Sequence, residues 1–158
     1  MTKPLPSAQE LEALRLRIVA QLDPSMLKPP YDKEWTPENP TYGFCSIASE
    51  AAWFILGGKE AGWVANNVRE EDGSTHWWLE HQSGLRFDPT ADQYYKADDV
   101  PPYERGIKGR PGGFMGLRRD EQSPWGNERR PGLRAQELLL RMDAVPVAPK
   151  PATRPRMR

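Results

Sequence analysis

Three residue types in the middle of this chain have the makings of acyl-transfer chemistry. Cys45, the only cysteine, stands in Gly43-Phe44-Cys45-Ser46-Ile47-Ala48. His76 opens His76-Trp77-Trp78-Leu79, 31 positions later, and Asp88 lies in Phe87-Asp88-Pro89-Thr90, 12 further on. A thiol attacks a carbonyl only as the thiolate. A neighbouring imidazole takes its proton and returns it to the leaving amine. A carboxylate on the far side of the imidazole holds the tautomer that work requires. Each residue also has a plainer reading. A lone cysteine is often a small buried apolar group, a histidine beside two tryptophans can be a satisfied core residue, and Asp-Pro favours turns.

The elements around these residues suit the chemical reading. Cys45 to Leu56 has an apolar stripe of Ala48, Ala51, Ala52 and Ile55 and stops at Gly57-Gly58, which predicts a helix with the cysteine at its start. The unpaired N–H groups and dipole there favour a thiolate and supply oxyanion donors. Trp63 to Arg69 alternates as a strand, Glu70 to Ser74 is an acidic turn, and His76 to His81 and Leu85 to Asp88 are two further strands. Between the last two lies Gln82-Ser83-Gly84. A three-residue loop with Gly84 left-handed pairs His81 with Leu85, so paired numbers sum to 166. Trp78 then faces Asp88, and His76 sits diagonal to Asp88 on the same face. A two-residue loop would put Asp88 on the wrong face.

The flanks read as cover. Ser7-Ala8-Gln9-Glu10 is a capping box, and Leu11, Leu14, Ile18, Val19 and Leu22 follow at helical spacing up to Asp23-Pro24. The proline-punctuated stretch to Pro40 reads as an extended arm. Its aromatics Tyr31 and Trp35, with Tyr42 just beyond, are packing anchors or cleft walls. Pro101-Pro102-Tyr103, residues 109–116 and residues 123–131 with Trp125 read as loops, with Phe114, Met115 and Leu117 returning to the core. Leu133 to Met142 is a second long helix, with Leu138, Leu139, Leu140 and Met142 on its apolar side.

Composition narrows the class. The chain has 158 residues, enough for one core, with 37% hydrophobic residues and 17 prolines. The expected plan is a flexible stretch over residues 1–6, one catalytic-type domain over 7–143, and a disordered basic proline-rich tail over 144–158. Residues 1–100 hold 9 basic and 16 acidic residues, and residues 101–158 hold 13 and 6, so the halves carry −7 and +7. The basic C-terminal region is a solvated tail or, as the sharper option, a contact for nucleic acid. No apolar run approaches the ~20 residues of a membrane helix, and Met1 to Leu5 carries no secretory pattern, so a cytoplasmic protein without a membrane partner is expected. A cysteine-based metal site is not expected, since His76 and His81 are five apart in one strand and point to opposite faces.

The order of Gly43-Phe44-Cys45, His76-Trp77-Trp78-Leu79 and Phe87-Asp88-Pro89-Thr90 resembles the core of the transglutaminase-like, papain-related cysteine enzyme superfamily. It is also similar to small bacterial and phage proteins sharing a Cys helix, a His-Trp strand and an Asp-x-Thr-x-x-Gln pattern, which Asp88, Thr90 and Gln93 match. The resemblance implies an α+β domain whose cysteine helix packs on a small antiparallel sheet. It implies cofactor-free acyl transfer or amide hydrolysis on a protein, peptide or other amide substrate, through a thioester on Cys45. The upstream glutamine that many papain-like relatives use as oxyanion donor is missing between Asp23 and Cys45. The Trp35 indole N–H and the Cys45 backbone N–H are the alternatives. Expected substrate contacts are Trp35, Tyr42, Gln93 and a cleft wall of Trp77 or Trp78, with Trp78 favoured because it shares the face of His76. A non-catalytic binding module on the same fold is the competing expectation.

Overall fold

A computed structural model describes residues 4–111 and 132–144. The expected core returns of Phe114, Met115 and Leu117, the Trp125 loop and the tail from residue 145 lie outside the described residues.

Helix α1 (Ala8–Ala20) starts where the capping box places it. Glu10 N–H donates to Ser7 Oγ at 3.0 Å and Ser7 N–H to Glu10 Oε1 at 2.7 Å, satisfying two end donors reciprocally. Its Leu11, Leu14 and Ile18 are buried. The following stretch is not the extended arm that its prolines suggested. It holds a 3-10 turn over Pro24–Met26 and a one-turn helix, α2 (Tyr31–Glu34). Pro24 sits in the first turn of one and Pro30 at the N-cap of the other, where an absent N–H breaks no helical bond.

Helix α3 (Cys45–Ile55) follows Gly43, whose φ of +84° turns the chain into it. Strands β1 (Trp63–Arg69), β2 (Thr75–His81) and β3 (Arg86–Phe87), the short helix α4 (Asp92–Tyr95), strand β4 (Ile107–Lys108) and helix α5 (Leu133–Arg141) complete the described elements. The sheet is antiparallel in the order β3-β2-β1-β4. The fold is therefore α+β, with five helices and a small four-stranded sheet among the described residues.

Side-chain size determines how the layers meet. Ala48, Ala51 and Ala52 are fully buried, and their short side chains let α3 lie close on β2 and β1. Ser49 Oγ donates to the Trp77 carbonyl at 3.2 Å, and Trp53 Nε1 to the Trp63 carbonyl at 3.0 Å, pinning helix to sheet at two levels. Ala65, Leu79 and Phe87 share the core with α3, and α5 adds Leu138 and Leu139. Leu140 instead is 60% exposed, since one residue further round a helix is ~100° away from the buried stripe.

The β2–β3 hairpin has the expected register. Leu79 pairs with Phe87 and Glu80 with Arg86. His81 N–H donates to the Leu85 carbonyl, and Gly84, at φ +97°, closes the loop onto the His81 carbonyl. Strand alternation sends His76 and Trp78 to the side opposite Leu79. There Tyr94 of α4 and Tyr103, in the segment leading to β4, cover them. The sequence reading placed no strand at β4. Ile107 and Lys108 are both exposed, and Ile107 pairs with Arg69 by backbone alone.

Candidate functional site

His76 is the centre of the site. Its ring is almost fully buried, stacked on Trp78 at 5.8 Å and meeting the edge of Tyr94 at 4.9 Å. Nε2 lies 2.7 Å from Asp88 Oδ2. The Asp88 side chain is itself buried and accepts from four donors. Oδ2 takes His76 Nε2 and the Tyr103 hydroxyl, the latter also at 2.7 Å. Oδ1 takes the Thr90 N–H at 3.1 Å and, at the long limit, the Thr90 hydroxyl at 3.5 Å. The Asp-Pro-Thr sequence folds this way because Thr90 turns back onto the carboxylate two residues earlier.

In the neutral ring, with Nε2–H committed to Asp88, Nδ1 carries the lone pair. Nδ1 is buried and has no hydrogen-bond partner among the described residues. Cys45 is near enough to the imidazole to favour its charged form. Its sulfur lies at the mouth of α3, 3.3 Å from the Thr75 carbonyl toward which its proton is directed. The thiol proton thus has a backbone acceptor in hand and an open imidazole nitrogen beside it. Burial alone disfavours the imidazolium. The Asp88 hydrogen bond, then the Cys45 side chain and the charges of both, override burial and raise the imidazole from 6.5 to about 9.

Cys45 is half-buried and lines a cleft of about 700 Å³ with Thr75, Trp77, Tyr42, Gln93 and Tyr94 among its walls. No side chain caps the N-terminus of α3, so its first N–H groups face this region without a side-chain acceptor. Among the described residues no cluster of His, Cys, Asp or Glu has the makings of a metal site.

The expected contacts divide. Tyr42 and Gln93 line the cleft. Gln93 Nε2 donates to Thr90 Oγ1 at 3.1 Å, extending the chain that ends on Asp88. The Tyr42 hydroxyl donates to Glu34 at 2.5 Å, and burial, then that carboxylate, pushes the phenol up to about 12. Trp78 does not wall the cleft. The parity that places it on the face of His76 packs it against His76 and Tyr103, and Trp77, of opposite parity, takes the wall. Trp35 is no oxyanion donor here, because its indole N–H is held by the Pro40 carbonyl at 2.9 Å.

The sequence reading missed Tyr103 and Tyr94. Tyr103 followed two prolines and resembled a loop residue. The burial of Pro101 and Pro102 is what anchors that segment over the sheet. The Tyr94 hydroxyl donates to Glu70 at 2.8 Å, and Arg105 bridges Glu70 and Asp99, so the segment is tied to β1 at its polar rim.

The model of the YunG protein family matches residues 11–122, which include most of α1, the whole sheet and all of these site residues. The chain belongs to the YunG family. No curated protein and no solved structure matches it. Within this YunG-family chain, the matched span contains Cys45, His76, Asp88 and Tyr103 together, while α5 lies beyond it. No helix among the described residues is long and apolar enough to cross a membrane.

Proposed function

We propose that this protein is a cofactor-free cysteine enzyme that transfers or hydrolyses an amide-linked acyl group, on a transglutaminase- and papain-like core. The observation that carries the reading is the buried imidazole of His76. Asp88 clamps one nitrogen, the other is open, and a half-buried thiol stands beside it at the wall of a cleft.

His76 Nδ1 takes the Cys45 proton, and the thiolate attacks the amide carbonyl carbon. The C–N bond breaks, the imidazolium gives its proton to the departing amine, and a thioester remains on Cys45. Water or a second amine, deprotonated by the same nitrogen, attacks the thioester carbon. The C–S bond breaks and the thiolate returns. Backbone N–H groups at the start of α3 are the donors for the oxyanion. Asp88 holds the tautomer throughout and remains a carboxylate. Tyr42, Trp77 and Gln93 bound the space where a protein, peptide or other amide substrate lies.

The test is the rate of Cys45 alkylation by iodoacetamide across pH, in wild type and in His76→Ala. The wild-type protein is expected to react at pH 6–7, where a free thiol with a pKa of about 8.5 is mostly protonated. The variant is expected to lose that reactivity. Mass spectrometry after incubation with a panel of amide peptides then looks for an acyl adduct on Cys45. An inert thiol, or identical profiles in both proteins, sinks the catalytic reading and leaves a binding module on this fold.

A further inference from the structure

We propose that Tyr103 acts on His76 through Asp88, its hydroxyl sharing the carboxylate oxygen that holds the imidazole and weakening that oxygen's pull on the ring. This rests on the reading of Cys45 and His76 as thiol and base.

The geometry is unusual in one respect. Asp88 Oδ2 receives two donors at equal distance, His76 Nε2 and Tyr103 Oη, each at 2.7 Å. Two donors on one oxygen divide its electron density. The phenol therefore lowers the basicity that Asp88 presents to Nε2. The donor does not ionise within the working range of the protein. Burial, then the charge of Asp88 and its hydrogen bond, hold the phenol well above its usual value, while Arg86 opposes them weakly. The Arg86 guanidinium lies 3.9 Å over the Tyr103 ring, and that ring packs on Trp78 at 5.0 Å. The hydroxyl is thus aimed by a ring packed against both Arg86 and Trp78.

The other titratable groups around His76 are accounted for. From α3 comes Cys45, and from the turn after β3 comes Asp88. From α4 comes Tyr94, whose hydroxyl goes to Glu70 and not to Asp88. Arg86, on β3, faces Tyr103 and Glu80. Tyr103 is the half-buried phenol that touches the Asp88 carboxylate directly, and its ring lies 6.4 Å from that of His76.

Removing the hydroxyl leaves Oδ2 with His76 as its remaining donor, while Oδ1 stays tied to Thr90. The carboxylate keeps its orientation and pulls harder on the imidazolium. In Tyr103→Phe the His76 titration midpoint is expected to move upward by half a pH unit or more. Two-dimensional ¹H–¹⁵N spectra of the imidazoles follow it, and with two histidines in the chain the assignment needs one further variant, at His81. Phenylalanine keeps the ring contacts with Trp78 and Arg86, so the fold survives. Tyr94→Phe is the control. It removes a part-buried hydroxyl that bonds Glu70 and not Asp88, and its midpoint is expected to move by much less. An unmoved or lowered midpoint in Tyr103→Phe, or an equal rise in Tyr94→Phe, overturns the proposal. Alkylation of Cys45 is measured on the same samples. If His76→Ala leaves that rate unchanged, the acyl-transfer reading fails, and the imidazole midpoint still decides the role of Tyr103.

Discussion

Replacing Asp88 by asparagine keeps the side chain's size and removes its charge, and the structure dictates how the new amide must sit. Thr90 N–H donates to Oδ1, so the amide oxygen stays there and the NH₂ group faces His76 Nε2. Two N–H groups cannot share that hydrogen bond. Nε2 must become the acceptor, and the ring proton moves to Nδ1. The nitrogen beside Cys45 then has no lone pair for the thiol proton. The electrostatic loss has a floor. Raising the imidazole from 6.5 to about 9 corresponds to ~3.4 kcal/mol in favour of the imidazolium, at about 1.36 kcal/mol per pH unit. Cys45 supplies part of this, but the Asp88 hydrogen bond and charge each outrank those of Cys45. Burial opposes both, so together they supply more than this net figure, and at least half of it, ~1.7 kcal/mol or about 20-fold in the population of the thiolate–imidazolium pair, is lost. The assay is the second-order rate of iodoacetamide alkylation from pH 6 to 10. Asp88→Asn is expected to fall by at least that factor at pH 7. It should converge on wild type near pH 10, where a thiol with a pKa of about 8.5 ionises unaided. An Asp88→Asn protein alkylated at the wild-type rate at pH 7 would refute the coupling of Asp88, His76 and Cys45.

Two further outcomes concern stability. Glu50 is buried in α3 and accepts the Gly132 N–H at 3.0 Å, and burial, against that hydrogen bond, pushes its carboxyl up to about 7. Its neutral form is the one the fold favours, so its contribution is fully present below about 4.5 and is lost as pH rises through about 7. Glu50→Gln keeps an acceptor for Gly132 and is expected to be stabilising by ~1–3 kcal/mol at pH 8 and neutral at pH 4. Urea denaturation at the two pH values reads this, and an equal effect at both contradicts it. Gly43→Ala places a Cβ 3.2 Å from Tyr31 Cβ at a φ of +84°. A loss of ~1–3 kcal/mol is expected in urea denaturation, with slower Cys45 alkylation because the residue fixes the entry to α3. A variant as stable as wild type would show that this turn relaxes freely.

Local chemistry in the sequence was enough for several elements. Ser7 and Glu10 mark the start of α1, the glycines after Leu56 stop α3, and Gly84 sets an odd hairpin loop. That loop's parity alone puts His76 and Asp88 on one face of the sheet, because side chains alternate with period two. These features depend on neighbours a few residues away. The path of the proline-rich stretch was not legible, because proline fits the first turn of a helix as well as an extended arm. β4 was invisible, since two exposed residues pairing by backbone leave no side-chain pattern. The Cys45 thiol's acceptor, the wall formed by Trp77 and not Trp78, and the Tyr103 hydroxyl on Asp88 depended on tertiary structure. Each joins elements between 15 and 32 residues apart, and only the packing of α3, β2 and the segment before β4 around the sheet brings them within reach.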